Sequence, residues 1–227
     1  MAKISIIIPV LNEAAGIQSF LQSLQALRKL GHEVILVDGG SKDNTCELAR
    51  PLVDKLLHSE SGRAKQQIMG AKNASGYIFL FLHADTLLPS LAEYRILKKL
   101  ANGRYWGFFN VKLSGSHWLL RIIGKMMSWR SCLTGICTGD QALFVKRSVY
   151  NKVNGIPDIA LMEDIAFSKR LLKVHKPVCL EEKVITSSRR WEQKGIIKTI
   201  IFMWSLRLSY FFRVKPEILH KIYYPGN

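Results

Sequence analysis

The chain has 227 residues, 48% of them hydrophobic, which allows one domain, or a domain with an appendage, around a sizeable core. Thirty-three Lys and Arg against seventeen Asp and Glu give a formal net charge of +16. Such a balance points to an anionic partner: nucleic acid, an acidic membrane surface or a phosphorylated substrate. The four cysteines, Cys46, Cys132, Cys137 and Cys179, form no CxxC and no zinc-like spacing. A chain this apolar needs no disulfide staples, so reduced thiols in a cytosolic protein are the expectation.

In chain order, residues 4–8 read as a short strand closed by Pro9, with Asn12 as N-cap of the following helix. This apolar stretch is too short for a signal peptide and has no small-residue cleavage site, so it reads as the first strand. Ile17, Phe20, Leu21, Leu24 and Leu27 recur at helical spacing until Gly31. Residues 34–37 form a second buried strand, ending in Asp38-Gly39-Gly40-Ser41, whose glycines permit a tight turn. Asp43 or Asn44 caps a short helix limited by Pro51; a weaker strand follows at 53–57, and Gly62-Arg63-Ala64 opens a helix to about Asn73. Residues 77–82 are apolar without a break, the pattern of a strand buried on both faces, and they stop at His83-Ala84-Asp85. Strand and helix alternate throughout these 85 residues, as in a parallel, nucleotide-binding sheet.

There is no GxGxxG and no GxxxxGK[ST], so neither a dinucleotide fold nor a P-loop is signalled. Glu13, Asp38 and Asp85 instead sit at the ends of separate strands, where carboxylates can hold a ribose, a base edge or a divalent cation. The plain alternative for each is a cap or turn residue.

Past Pro89 a helix is expected at 91–100 and a strand with one exposed face at 106–113. Eight Lys and Arg and no acidic residue lie between Glu93 and Asp140. Within that segment Trp118, Leu119, Ile122, Ile123, Met126 and Trp129 make a broad apolar face beside Arg121 and Lys125. The pattern fits a helix lying in a membrane interface and also a core helix with solvated cations. Gly139-Asp140-Gln141 leads into a strand at 142–145, and Glu163-Asp164 open a helix through Leu172. Acidic residues in a first turn suit the helix dipole and can also supply a general base. Arg189-Arg190-Trp191 places two guanidinium groups beside an indole, a combination suited to phosphate or sugar contact. Residues 195–214 are strongly apolar, but their longest uncharged run, 199–206, falls far short of the ~20 residues that span a bilayer. This stretch lies on a membrane, packs on the sheet or meets a second copy of the chain.

Taken in order, Ile7-Ile8-Pro9-Val10-Leu11-Asn12-Glu13, Val37-Asp38-Gly39-Gly40-Ser41-Lys42-Asp43, Gly62-Arg63-Ala64, His83-Ala84-Asp85, Glu163-Asp164 and Arg190-Trp191 resemble the motifs of the family 2 glycosyltransferases of the GT-A fold, over nearly the whole chain. The combination of GDQ, MED and RRW resembles a narrower bacterial subgroup associated with arsenosugar-type biosynthesis. The resemblance implies a single α/β GT-A domain over 1–227. Its parts would be a mostly parallel nucleotide-binding half (1–89), a mixed acceptor and catalytic half (90–190) and a C-terminal helical extension (191–227). It implies inverting transfer from a UDP- or GDP-type sugar to a hydroxyl of a small-molecule or lipid acceptor, with Mn2+ or Mg2+. Glu13 and Asp38 would hold the nucleoside, with the backbone of Pro9 beside the base, and Arg63 would meet the base or diphosphate. Asp85 would bind the metal, Asp164 would be the base with Glu163 beside it, and Asp140, Gln141, Arg190 and Trp191 would border the diphosphate or acceptor.

Two departures bear on this. The family's DxD is His83-Ala84-Asp85 here; the last Asp, its principal metal contact, is kept, and His83 touches sugar, joins the metal or is a structural hydrogen-bond donor. Ser187 stands where processive synthases carry Gln, which implies a single-transfer enzyme. A sugar nucleotidylyltransferase and a non-catalytic basic module binding membrane or nucleic acid are the competing readings. The absence of any nucleic-acid motif argues against nucleic acid. The expected location is the cytoplasm, with peripheral contact on the anionic inner face of the membrane.

Overall fold

A computed structural model describes residues 3–224; residues 1–2 and 225–227, the ends of the expected domain, lie outside the described residues. The chain alternates as β1 (Ile4–Val10), α1 (Ala14–Ser23), α2 (Gln25–Lys29), β2 (Glu33–Asp38), α3 (Thr45–Ala49), β3 (Lys55–His58), α4 (Arg63–Asn73) and β4 (Ile78–Phe81). It continues as β5 (Thr86–Leu87), α5 (Ala92–Ala101), β6 (Trp106–Leu113), α6 (Trp118–Thr134), β7 (Phe144–Lys146) and α7 (Arg147–Lys152). The last elements are α8 (Glu163–Leu172), β8 (Val178–Thr186), α9 (Arg189–Lys194), α10 (Ile196–Phe211) and α11 (Pro216–Tyr223).

One eight-stranded sheet runs β3-β2-β1-β4-β7-β6-β8-β5. The first four strands are parallel, β7 is antiparallel to both β4 and β6, and β8 runs parallel to β6. The chain leaves β1 towards β2 and β3 on one side and returns to β4 on the other. That reversal makes a switch point where the strand ends splay into a crevice.

Alternate residues of each strand feed two cores. Ile6, Ile8, Leu36 and Leu80 face α1 and α5, while Ile7, Ile35, Val37, Phe79 and Phe81 face α4 and the Tyr150–Phe167 side. Helix α4 lies close because Gly70 has no side chain: a Cβ there would come within 2.4 Å of Ile7 Cγ2. Gln66, buried on the same helix, donates from Nε2 to Val10 O (2.7 Å) and Val37 O (2.8 Å), bracing the carboxyl ends of β1 and β2.

Three expectations change. Asn12 caps nothing. Its backbone is left-handed (φ 54°), and its Oδ1 accepts from Lys42 N instead, because the β1 and β2 loops are stitched together. Strand β6 is buried on both faces over most of its length, since α6 packs on the side expected to face solvent. Two of the four cysteines are not reduced: Cys132 of α6 and Cys179 of β8 form a disulfide with Cα atoms 5.6 Å apart, bringing together positions 47 residues apart in sequence. Cys46 and Cys137 are free.

Candidate active site

The carboxyl ends of β1, β2 and β4 deliver their polar residues to one rim. Asp38, buried at the tip of β2, accepts hydrogen bonds from Gly40 N (3.0 Å), Ser41 N (3.1 Å) and Ser41 Oγ (2.5 Å). Gly40 makes this turn possible at φ +94°. Burial alone would raise the Asp38 pKa, but these donors outweigh it and hold the carboxyl below its ordinary value. His58 at the end of β3 stands 3.5 Å from the same carboxylate. Thr45 Oγ1 accepts from Glu13 N (2.8 Å) and Asp43 Oδ2 from Ala14 N (3.1 Å), so the β2 loop also fixes where Glu13 leaves β1. Glu13 is pushed up by burial and by the nearby Asp85 and Asp43, against Arg189 and His83. Glu13, Asp85, His83 and Arg189 therefore share one neighbourhood.

At the end of β4, His83 Nδ1 lies 3.4 Å from Asp140 Oδ1. Asp140 sits on a 3-10 turn, Gly139–Gln141. Burial works to raise its pKa, but the His83 contact, Arg63 and Arg190 leave it lowered. The neighbouring Gly139 N donates to Asp164 Oδ2 (2.8 Å), and Ile165 N donates to Asp164 Oδ1 (2.7 Å). The GDQ turn thus touches both the β4 end and the first turn of α8. Met162 (φ 68°) and Ala142 (φ 47°) are non-glycine residues in the left-handed region directly beside these motifs, the kind of strain that gathers at functional positions. Burial, then the charge of Glu163, raises the Asp164 pKa to about 6 despite its two backbone donors and Arg63. Glu163 is itself buried, 3.7 Å from Arg63 Nη1.

His83 and Asp85 are the residues that would offer donor atoms to a divalent cation at this rim. Among the described residues the His83 Nε2 atom is buried without a partner, a Cβ on Gly139 would fill the space 2.5 Å from it, and the carboxylate of the exposed Asp85 accepts only from Thr86 Oγ1, at 3.3 Å. A nitrogen and a carboxylate oxygen form a donor pair that Mn2+ accepts. Asp38, Cys46 and His58 also present ligand atoms within 4.8 Å of one another. There, though, the Asp38 oxygens are already taken by Gly40 and Ser41.

Two expected contacts turn away from the rim. Gln141 is wholly buried, accepting from Ser131 Oγ (2.7 Å) and donating to Phe109 O (3.2 Å), so it shapes the turn and cannot border a substrate. Trp191 packs on Leu113, Leu120 and Ile123 and anchors α9 there. Arg190 stacks 3.9 Å over the Tyr223 ring, within reach of the Asp140 charge. Arg189, paired with Arg190 in the sequence, lies near enough to Glu13 for its charge to lower that carboxyl's pKa. Arg130 of α6 carries no such signal in the sequence; it feels Asp164 and Asp140, and its Nε is buried without a partner among the described residues. The run of basic residues hid Arg130; only the crossing of α6 behind the GDQ turn singles it out.

Residues 5–149 match the model of glycosyl transferase family 2. The dolichol-phosphate mannosyltransferase of Pyrococcus furiosus is 28% identical over 163 residues, 69% of this chain and 44% of that protein. The poly-beta-1,6-N-acetyl-D-glucosamine synthase of Staphylococcus aureus is 23% identical over 95% of this chain and 48% of its own length. The chain thus spans less than half the length of these curated relatives. Among solved structures, residues 1–349 of S. aureus TarS superpose with a TM-score of 0.65 at 18% identity, covering 82% of this chain and 60% of that one. The mannosyltransferase PcManGT of Pyrobaculum calidifontis, in complex with GDP-Man and Mn2+, gives 0.62 at 20% identity, covering 81% and 56%. The α/β sheet is thus that of the GT-A fold, and the chain belongs to glycosyl transferase family 2.

Proposed function

We propose that this chain works as one GT-A unit that transfers a sugar, with inversion, from a nucleotide-diphosphate donor of UDP or GDP type to an acceptor hydroxyl. The observation that carries the reading is the GDQ turn, which joins the His83-Ala84-Asp85 strand end to Asp164, a carboxyl whose pKa is raised to about 6. Asp38, with Glu13, would hold the nucleoside beside Pro9, and Arg63 and Arg189 would balance the diphosphate. Glu163 acts on Arg63, holding the guanidinium towards the rim. Asp164 would take the proton from the acceptor hydroxyl as its oxygen forms a bond to the anomeric carbon. The bond to the diphosphate oxygen breaks on the opposite side, and the nucleoside diphosphate leaves with the electron pair. One displacement inverts the anomeric centre. A divalent cation held by Asp85, with His83, would supply Lewis-acid stabilisation of the departing diphosphate.

TarS in complex with UDP-GlcNAc and PcManGT with GDP-Man and Mn2+ support a nucleotide-sugar donor and a metal. Relatives named for dolichol-phosphate and undecaprenyl-phosphate support a lipid acceptor. No described helix is long and apolar enough to cross a membrane; the reading places this part of the chain in peripheral contact with lipid, at the inner face of the membrane. The placement in the arsenosugar-associated subgroup rests on GDQ, MED and RRW alone. Melting with UDP- and GDP-linked ligands tests the donor site. Stabilisation is expected only with Mn2+ or Mg2+ present and should vanish in Asp85→Ala; equal stabilisation of both proteins without metal would sink the metal role.

A further inference from the structure

Helix α6 exposes Trp118, Ile122, Met126, Trp129 and Leu133, each 43 to 70% accessible, at successive spacings of four, four, three and four. Helix α10 exposes Ile197, Ile201, Trp204, Leu208 and Phe211, each 58 to 71% accessible, at spacings of four, three, four and three. Each set is one face of a helix and runs about 21–22 Å along it. The two helices meet at one apolar cluster, where Ile196 and Ile200 of α10 pack with Leu113, Leu120 and Ile123. Soluble surfaces rarely leave large apolar side chains in such continuous register.

Cations surround these faces. A groove of about 630 Å3 between α6 and the β6 and β8 strands is lined by Lys112, Arg121, Lys125, Lys183 and Trp129, with no acidic residue. None of its four cations is in an ion pair among the described residues. Between Gln193 and Tyr224 there are six Lys and Arg and one acidic residue. A second copy of the chain would fit poorly here, since a two-fold contact brings the same cations face to face.

We propose that the α6–α10 face docks on an anionic bilayer, its apolar stripes entering the headgroup boundary and the basic groove receiving lipid headgroup phosphates. The other side of α10 packs through Leu206 on Leu161, Met162 and Ile165, the start of α8. The bilayer therefore meets the protein about one helix diameter, 10–12 Å, from the helix that carries Asp164. The link to a lipid acceptor rests on the proposed function; the docking itself does not.

Flotation with vesicles of phosphatidylglycerol in phosphatidylcholine, against phosphatidylcholine alone, tests it. The wild type should float with the anionic vesicles and stay in the soluble fraction with the neutral ones. Replacing Lys112, Arg121, Lys125 and Lys183 by Gln should weaken anionic binding roughly fivefold per cation. Ile201→Gln with Trp204→Gln should release the protein while leaving its melting temperature unchanged, because both side chains are exposed. A wild type that ignores anionic vesicles, or a groove variant that binds as well as wild type, overturns the proposal. So does a dimer by light scattering that the α10 variant converts to monomer without any vesicle binding. Nucleotide-sugar hydrolysis in vesicle-free buffer should be equal in all these proteins; its loss in every protein with docking intact would sink the glycosyl-transfer reading alone.

Discussion

In the proposed mechanism, the protonation of Asp164 decides the chemistry. Its pKa of about 6 is set by burial and by Glu163, against donors from Gly139 and Ile165. Below that value the carboxyl holds its proton and cannot accept another, so kcat/KM should climb as pH rises through about 6 and level above it. Asp164→Asn should flatten the profile and lower the rate by about 10²- to 10⁴-fold. Stability supplies an independent check. A folded pKa above the ordinary 3.8 means that the group favours the fold below 3.8 and loses that contribution as pH rises through about 6. The wild type should therefore lose melting temperature relative to Asp164→Asn between pH 4 and 7. A constant difference would argue that the carboxyl is unperturbed. The His83-Ala84-Asp85 tip was legible in sequence because it follows an apolar run directly, and Asp164 because Glu163-Asp164 open a helix and match a family motif. Arg130 was not, because a guanidinium's target depends on which helix crosses behind it.

At the scale of elements, the end of the sheet opposite the candidate site is held by one buried carboxylate. Glu33 opens β2; it accepts from Ser5 Oγ on β1 (2.5 Å) and from Ser75 N ahead of β4 (2.8 Å), and pairs with Lys55 Nζ on β3 (2.9 Å). Burial would raise its pKa, but these donors bring it from 4.5 down to about 2. At ~1.4 kcal/mol per unit, the shift is worth about 3 kcal/mol. A lowered carboxylate pKa contributes fully above 4.5 and loses its contribution as pH falls towards 2. Glu33→Gln should therefore cost up to about 3 kcal/mol at pH 7, roughly 6–12 °C in a chain of this size, with the gap closing below pH 4. Thermal melts across that range measure it; a variant as stable as wild type at pH 7 would refute the pin. The alternation of β1, β2, α4 and β4 was readable because each carries its own period or glycine start. The pin was not readable, since Ser5, Glu33, Lys55 and Ser75 carry no mutual pattern. The same holds for Gln66, which reaches carbonyls 56 and 29 residues away, and for the Cys132–Cys179 bridge.

Across the whole molecule, the C-terminal helices close over the start of α8. Leu206 of α10 and Leu219 and Tyr223 of α11 pack on Leu161, Met162 and Ile165, immediately around Glu163 and Asp164. The apolar run at 195–214 left membrane, sheet and second copy open, and the structure divides its answer: one face of α10 covers α8 while the other stays exposed. The sequence could not show this division, because both faces are apolar and only the partner distinguishes them. Tyr223 joins this cover to Arg190 through its ring, 3.9 Å beneath the guanidinium. A cation over an aromatic face is worth about 0.5–2 kcal/mol, and here it fixes where Arg190 points. Tyr223→Leu keeps apolar bulk against Phe202 but removes the ring, whereas Tyr223→Phe keeps the ring and loses only the hydroxyl. If Arg190 meets the diphosphate, Tyr223→Leu should raise KM for the nucleotide sugar by roughly 2- to 30-fold, with kcat changed less, and Tyr223→Phe should stay near wild type. Equal effects from the two variants, or none, would mean that the stack serves the C-terminal packing alone.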